Sequence, residues 1–377
     1  MKRSLPLLCC LLLAAPLCHG AQPVWGPWAT GQNPNPYEIG ARLVANLLAR
    51  PKLDLSKAVG YQETCAGYGA VRFEAAINRP DMVDFDPDEN IEGVLARYSA
   101  IITPAGAALN PKPVHVDSSV FGILPLEISH DAQGMISPAD NQKYLALGLS
   151  YADAQFATLN PQGLSSETRY YIDDAYKICV MQILAYRATG KPIYAAQAVK
   201  EMTAFIDQLQ QPSGLFFHGP KARIYWGRGN GWVAAALAEA LTYLPDTDPA
   251  RPKLMASYKA MMAGLLKAQA PDGRWRQVLD DDKAFEESSC TGYFIFALAE
   301  GVNHGWLDAA TYQPPVRKAW GALCGEIDPK GNVAGVSVLT EHSNDEAYYL
   351  ARPIAAGNLH GQFAAMWAAS ALLEASK

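Results

Sequence analysis

Charge is scarce in this chain. Asp, Glu, Lys and Arg make up 18% of its 377 residues, and 31 basic against 37 acidic side chains leave a formal net charge of -6 and an isoelectric point near 5.7. A protein that grips a phosphate backbone needs a basic face, so nucleic acid is excluded as a partner. Beyond the first twenty residues no segment approaches the roughly 20 apolar residues of a bilayer-spanning helix, which argues against a membrane partner. Cysteine is sparse and no Cys-x-x-Cys pair occurs. The histidines at 19, 115, 130, 218, 304, 342 and 360 show no His-x-x-x-His or His-Glu-x-x-His spacing, and Asp280-Asp281-Asp282 lacks the spaced ligands of a calcium loop, so no metal is expected. There is no Gly-x-Ser-x-Gly, no phosphate loop and no dinucleotide fingerprint. Serine hydrolases and nucleotide enzymes are set aside, and no cofactor is expected.

Apolar residues, in contrast, are half of the chain, and 8 Trp, 18 Tyr and 11 Phe stand partly beside polar motifs, a mixture suited to sugar recognition. Lys2 and Arg3 precede an apolar stretch over residues 5–17, followed by small residues at Cys18 and Gly20. This is the pattern of a secretory leader, residues 1–20, cleaved near Gly20. Leu17 lacks the small side chain expected ahead of a lipidated cysteine. The expectation is a periplasmic or secreted protein with one domain over residues 21–377, monomeric or weakly self-associating. Cys65, Cys179, Cys290 and Cys324 lie in helical patterns among apolar neighbours and read as buried thiols rather than disulfides.

Apolar residues recur at three- and four-residue spacing almost throughout, and no stretch alternates as a strand would. Helices are expected to begin near Tyr37, Gln62, Asn90, Ser118, Pro138, Asp173, Ile193, Gly229, Pro252, Ser288, Asp308 and Asn358, with Pro, Gly, Asn and Asp clusters at the breaks. Every second helix opens on a polar or aromatic cluster. With Tyr61, Asp117, Asp173, Asn230, Ser289 and Asn358 as markers, the spacings are 56, 56, 57, 59 and 69 residues. A repeat of that kind is a helical hairpin that must stack on its neighbours to bury its apolar face. Six hairpins can close into an all-α (α/α)6 toroid whose even helices, rich in Ala and Gly at residues 231–237 and 363–369, line the inside. Closure brings their N-terminal ends to one mouth; an open solenoid would spread the same clusters along a groove.

Helix N-termini carry unpaired N–H groups and the positive end of the dipole, so such a mouth favours anions. Taken singly, Asp117, Asp173 and Ser288 read as helix caps; unusual groups at all six starts read as a site. The most specific string is Tyr225-Trp226-Gly227-Arg228-Gly229-Asn230-Gly231-Trp232. Its glycines permit close approach of a ligand, its arginine can fork onto a carboxylate, and its indoles can stack on sugar rings. The alternative is tryptophan as core filler and glycine as loop.

The portion Trp226 to Trp232 resembles the signature of the unsaturated rhamnogalacturonyl hydrolases, glycoside hydrolase family 105, related to family 88. Ile172-Asp173-Asp174-Ala175-Tyr176, the string from Tyr186 to Tyr194, Gly214-Leu215-Phe216-Phe217-His218, Asp272-Gly273-Arg274-Trp275, Glu287-Ser288-Ser289 and His360-Gly361 fit in the same order. The likeness covers roughly residues 110 to 375 and weakens before Asp117. It implies an (α/α)6 toroid that removes a 4,5-unsaturated uronic acid from oligosaccharides left by polysaccharide lyases. The family protonates C4 of the vinyl ether, adds water at C5, and lets the hemiketal open and lose the aglycone. By the same resemblance Asp173 is the acid/base and Asp117 the second carboxylate that positions substrate and water. Arg228, Asn230 and the helix ends would hold the uronate, His218 would assist, Trp226 and Trp232 would pack on the sugar, and His360 and Glu287 would complete the wall.

Such chemistry needs an acid still protonated near neutral pH, so Asp173 is expected to have a raised pKa from burial and from Asp117 or Asp174. Lys177 departs from the pattern: it stands four residues after Asp173, where the family commonly carries an apolar residue, and a lysine there would lower that pKa. It is read as pairing with Asp174 or solvent, the other reading being that it reaches the mouth and takes a substrate carboxylate. The string from Tyr61 to Gly69 departs further and is expected to set the aglycone preference, with unsaturated galacturonyl-rhamnose from pectin and unsaturated glucuronyl units both open. Two other readings of the chain are a polysaccharide lyase, with a Tyr or His base and Arg228 neutralising the carboxylate, and a glycan-binding solenoid without activity.

Overall fold

The computed structural model describes Trp25 and residues 34–78 and 88–374; the leader expected at residues 1–20 lies outside the described residues. In chain order the helices are α1 (Pro36–Ala49), α2 (Tyr61–Ile77), α3 (Asp88–Tyr98), α4 (Val116–Ser119), α5 (Ile123–Asp131), α6 (Pro138–Gln155), α7 (Asp174–Thr189), α8 (Pro192–Leu209), α9 (Gly227–Tyr243), α10 (Arg251–Ala268), α11 (Ser288–Asn303), α12 (Ala309–Gly325), α13 (Glu346–Leu350) and α14 (Leu359–Leu373). Two kinds alternate. α1 buries one stripe, Ile39, Leu43, Val44 and Leu47, at helical spacing, as a helix does when its other face meets water. α2 buries residues 64–74 without a break, as a helix does when it is enclosed on all sides.

The enclosed set is α2, the α4–α5 pair joined by a 3-10 turn at Val120–Gly122, α7, α9, α11 and α14. Each packs on the next: α2 on α5, α5 on α7, α7 on α9, α9 on α11, α11 on α14, and α14 back on α2. The ring is closed, and the protein is an all-α (α/α)6 toroid with α1, α3, α6, α8, α10 and α12 outside. All twelve expected helices are present, each starting within two residues of its expected position. The sequence pattern did not show α13, the 3-10 turns at Ser99–Ile102 and Pro104–Leu109, or the antiparallel pair β1 (Val336–Ser337) and β2 (Ile354–Ala355). Segments this short carry no full hydrophobic period.

Small residues let the inner helices approach. A Cβ on Gly292 of α11 would lie 2.7 Å from the backbone of Ala364 on α14, and one on Gly69 of α2 would lie 2.6 Å from the Trp367 ring. The lumen is filled rather than open: Trp367 stacks on Tyr176 at 5.2 Å, and Trp232 meets Tyr293 at 4.8 Å. Lower down, Arg72 is bonded to Glu239, and Arg187 reaches Glu127 at 2.5 Å. Cys65, Cys179, Cys290 and Cys324 are buried free thiols, as expected. Among the described residues no helix is long and apolar enough to cross a membrane.

Two outcomes follow from this packing. Gly292→Ala is expected to lower stability by about 1–3 kcal/mol, because backbone opposite the new methyl cannot swing away; denaturant unfolding measures it. Glu74 is buried, its carboxylate oxygens have no partner among the described residues, and burial pushes its pKa up to about 8. Its folded form therefore keeps a proton that the unfolded chain has lost, and stability falls as pH rises from the ordinary carboxylate range through about 8. Melting curves of Glu74→Gln between pH 5 and 9 are expected to show a flatter dependence than wild type, and parallel curves would remove Glu74 as the cause.

Candidate active site

The first turns of the inner helices build the mouth. Tyr61 opens α2, Asp117 lies in the first turn of α4, and Asp173 stands immediately before α7 with Lys177 one turn inside it. Arg228 and Trp232 come from the start of α9, and His360 from the start of α14. They surround a cavity of about 110 Å³ that residues 339–342 roof over and the aromatic lumen closes below. A wider hollow of about 310 Å³, between Arg50, Lys57 and Arg97 near the start of α2, lacks this convergence of groups.

Neither key aspartate caps a helix with its side chain. Asp173 makes no side-chain cap bond to α7, and the cap of α4 is His115, whose Nδ1 accepts from the Asp117 N–H at 3.2 Å. Both carboxylates turn instead to Lys177. Its Nζ donates to Asp117 Oδ1 at 2.5 Å and to Asp173 Oδ2 at 2.6 Å, and lies 4.8 Å over the Tyr61 ring. The lysine side chain is 3% exposed, against 42% for Asp117 and 20% for Asp173. An ammonium that deep keeps its charge because carboxylates face it.

Two expectations are corrected here. Lys177 pairs neither with Asp174 nor with solvent, because Asp174 is taken by Arg169, Nη2 to Oδ1 at 2.5 Å and Nε to Oδ2 at 3.2 Å, which leaves the lysine to the mouth. Nor is the Asp173 pKa raised. Burial pushes it up, but the bonded Lys177 ammonium, with His218 and Arg169 adding to it, outweighs burial and holds the carboxyl well below the usual carboxylate range. Asp174, buried beside the Asp173 charge, is the one pushed up, to about 6, and it does not line the cavity.

Burial disfavours the charged form of the imidazoles at the wall. His218 has Nδ1 2.6 Å from the Tyr349 hydroxyl and its ring 4.5 Å from Trp226; burial pushes its pKa down to about 3. Burial, helped by Arg228 and Lys177, likewise takes His360 well below the normal range. Asn358 Oδ1 accepts from the His360 N–H at 3.0 Å and lies 2.8 Å from Nδ1, so Nδ1 carries the proton. His360 Nε2 then accepts from the Tyr61 hydroxyl at 2.8 Å.

The tryptophan–glycine string divides between site and scaffold. Trp226 lines the cavity, and its buried indole N–H has no acceptor among the described residues. Trp232 reaches the cavity only as its floor. Arg228 lies 4.9 Å over Trp226 and turns both terminal nitrogens on protein acceptors, among them Ser337 O at 3.0 Å, Val338 O at 3.2 Å and Thr340 Oγ1 at 3.2 Å. It pins the roof rather than presenting a free fork to a uronate. Glu287 shares that task, accepting from the Ser337 N–H at 2.9 Å while it caps α11 through the Cys290 N–H at 2.8 Å. Asn230 is corrected outright: fully buried, it closes on Phe216 N–H and Phe216 O at 2.8 and 2.9 Å and does not line the cavity. The glycines also face protein, not ligand, since a Cβ on Gly227 would lie 2.4 Å from Arg276 O.

Other wall residues were not singled out in the sequence. Tyr171 stacks on His342 of the roof at 4.2 Å, with Arg169 4.8 Å over the Tyr171 ring. Tyr170, just before, holds a left-handed φ of +59°, a local strain of the kind that clusters at sites. The aromatic pair ahead of Ile172-Asp173 was the available signal; nothing in the chain linked it to a histidine some 170 residues on.

A closed helical ring with carboxylates, neutral imidazoles and indoles around a blind cavity is the setting of an enzyme that works on sugars. Residues 139–375 match Glycosyl Hydrolase Family 88, and the chain belongs to that family of glycoside hydrolases. This agrees with the resemblance read from the motifs. A protein of Alteromonas sp. strain LOR named unsaturated 3S-rhamnoglycuronyl hydrolase is 34% identical over 159 residues, 39% of this chain and 38% of that one. One of the same name from Formosa agariphila is 40% identical over 116 residues, 30% of this chain and 31% of that one. The chain thus matches about a third of the length of these curated relatives. Among solved structures, one described as a possible member of glycoside hydrolase family 105 from Salmonella enterica serovar Paratyphi A superposes with a TM-score of 0.74 at 18% identity, covering 97% of this chain and 99% of that one, a likeness of fold.

Because Asn230 braces the Phe216 turn and touches no cavity wall, Asn230→Ala is expected to cost about 1–3 kcal/mol of stability while the folded enzyme keeps its KM. A raised KM at unchanged stability would return Asn230 to the binding site.

Proposed function

We propose that this protein removes a 4,5-unsaturated uronic acid from the non-reducing end of oligosaccharides produced by polysaccharide lyases, by hydrating the vinyl ether. The observation that carries this is the convergence of Asp117, Asp173 and Lys177 on the wall of a small, roofed cavity closed below by the aromatic lumen. A pocket closed below admits the end residue of a chain, not its interior, and a buried ammonium gives that residue's carboxylate a partner. The names of the two curated relatives support an unsaturated uronate linked to a rhamnose-containing product. Both galacturonyl and glucuronyl forms fit the chemistry of the wall.

In this reading Asp173 gives a proton to C4 while water, oriented by Asp117, adds to C5. The hemiketal then opens and the aglycone leaves, so one water is consumed for each bond broken. One positioned acid/base suffices, in contrast to the two carboxylates of a displacement at the anomeric carbon. His218 and His360, both neutral, serve as hydrogen-bonding walls, and Trp226 offers its ring to the sugar. The leader read at residues 1–20 would place this reaction outside the cytoplasm, where lyase products arise. A lyase reading needs a free cation on the substrate carboxylate in the role expected of Arg228, and the commitment of Arg228 to the roof weighs against it.

The test follows the ultraviolet absorbance of unsaturated oligosaccharides made by lyases from pectin and from glucuronate-containing glycans, rhamnose-bearing ones included. Wild type is expected to erase the absorbance of one class, with Asp173→Asn slower by about 10²–10⁴-fold, the usual worth of a general acid. Absorbance that rises instead on intact polysaccharide would establish a lyase, and no change with any glycan would leave a binding protein.

A further inference from the structure

Hydration of a vinyl ether calls for a protonated acid, and the structure sets an ammonium 2.6 Å from the residue that should supply it. Every charged or titratable group around Asp173 bears on how that conflict resolves. Its own helix offers Lys177 and Asp174; the start of α4 offers His115 and Asp117, and α2 offers Tyr61. The segment before α7 contributes Arg169 and Tyr171, the turn before α9 His218 with Tyr349 of α13 bonded to it, α9 itself Arg228, the roof Glu341 and His342, and α14 His360. Burial drives His115, His218, His342 and His360 below the ordinary imidazole range, so near neutral pH they carry little charge. Arg169 is bonded to Asp174 and Arg228 to the roof. Among the described residues Lys177 is therefore the cation in bonding contact with both carboxylates.

An ammonium has three N–H donors, and two of them are spent on Asp117 and Asp173. With the Tyr61 ring 4.8 Å from Nζ on a further side, an incoming carboxylate competes with the two aspartates for the same charge. When a uronate carboxylate enters, a site that balanced two carboxylates against one buried cation must accommodate a third. Uptake of one proton restores the earlier balance, and the carboxyl that loses its share of the ammonium is the one that takes it.

We propose that Lys177 is a positioning residue that hands its ammonium from Asp173 to the carboxylate of the incoming uronate, whereupon Asp173 binds one proton from solvent and becomes the acid for C4. The inference rests on the hydration reading above. The proton taken up on binding goes to C4, and the proton released by the attacking water replaces it, so the cycle closes with water alone consumed. The device makes the acid competent only when a carboxylate-bearing end residue is in place, which selects uronates over neutral sugars.

The test compares the pH dependence of kcat/KM, which reports the enzyme before binding, with that of kcat, which reports the complex. In wild type the alkaline fall of kcat/KM is expected at least one pH unit below that of kcat. In Lys177→Met the two limbs are expected to coincide, with KM raised tenfold or more, and Lys177→Arg, which keeps the charge, should keep the limbs apart. Coincident limbs in wild type, or limbs still separated in Lys177→Met, overturn the proposal. A readout independent of turnover is carbon-13 NMR of carboxyl-labelled aspartate, with the Asp173 signal identified by its loss in Asp173→Asn. Saturating sodium galacturonate or glucuronate should move the Asp173 titration up by at least one unit in wild type, while Lys177→Met should show the higher titration without sugar. No movement with either uronate overturns the hand-over. Movement without any activity on unsaturated oligosaccharides would count against the hydration reading alone.

Discussion

The last inner helix, α14, lies along the first, α2, with Gly69 seated against Trp367 and the Trp367 indole N–H donating to Cys65 O at 3.3 Å. This contact joins segments some 300 residues apart and converts a row of hairpins into a ring. Without it, Tyr61 and His360 would stand at opposite ends of a solenoid rather than 2.8 Å apart at one mouth. The ring also explains why inner helices are buried on every face: each has a neighbour on both sides, an outer helix behind and a packed lumen in front.

The closed ring buries charge, and it does so at both ends of the lumen by the same rule. At the lower end Arg72 and Arg187 meet Glu239 and Glu127; at the mouth Lys177 meets Asp117 and Asp173. Buried ions persist where each has a bonded opposite, and removing one partner is costly. The difference between the two ends is access. The lower clusters are sealed, whereas Asp117 and Asp173 remain partly exposed and share a cation that is not. A buried ammonium tied to an accessible carboxylate can exchange that partner for a ligand's carboxylate, which is the role proposed for the upper cluster and one the sealed lower clusters are not placed to fill.

The roof shows a second division of labour. Residues 336–342 belong to no long element, yet they are held by Arg228 and Glu287 from two inner helix starts and by the pairing of β1 with β2. Side chains that the motif resemblance pointed to as substrate contacts thus hold the segment that roofs the cavity. That is why a glycine-rich string so specific to its family contains residues, Asn230 among them, that touch no cavity wall.

Much of this was legible before any coordinates. The period of apolar residues gave the twelve helices, the recurring polar starts gave the hairpin repeat, and the family motifs pointed to Asp117, Asp173, His218, Trp226, Arg228, Trp232 and His360, all of which line the cavity. Residue type and spacing suffice for these because helix formation and one-sided burial are local properties of the chain. Side-chain partnership is not. Whether Lys177 would pair with Asp174 or with the mouth depended on Arg169 claiming Asp174, and whether Arg228 would face substrate or roof depended on where residues 337–340 crossed it. The sign of the Asp173 shift followed from the first of these choices. Residue type and period thus set the helices, their hairpin repeat and the groups at their starts; ring closure and the meeting of charges came from tertiary contacts, because packing and electrostatic pairing act over a few ångströms between segments that the chain alone does not place side by side.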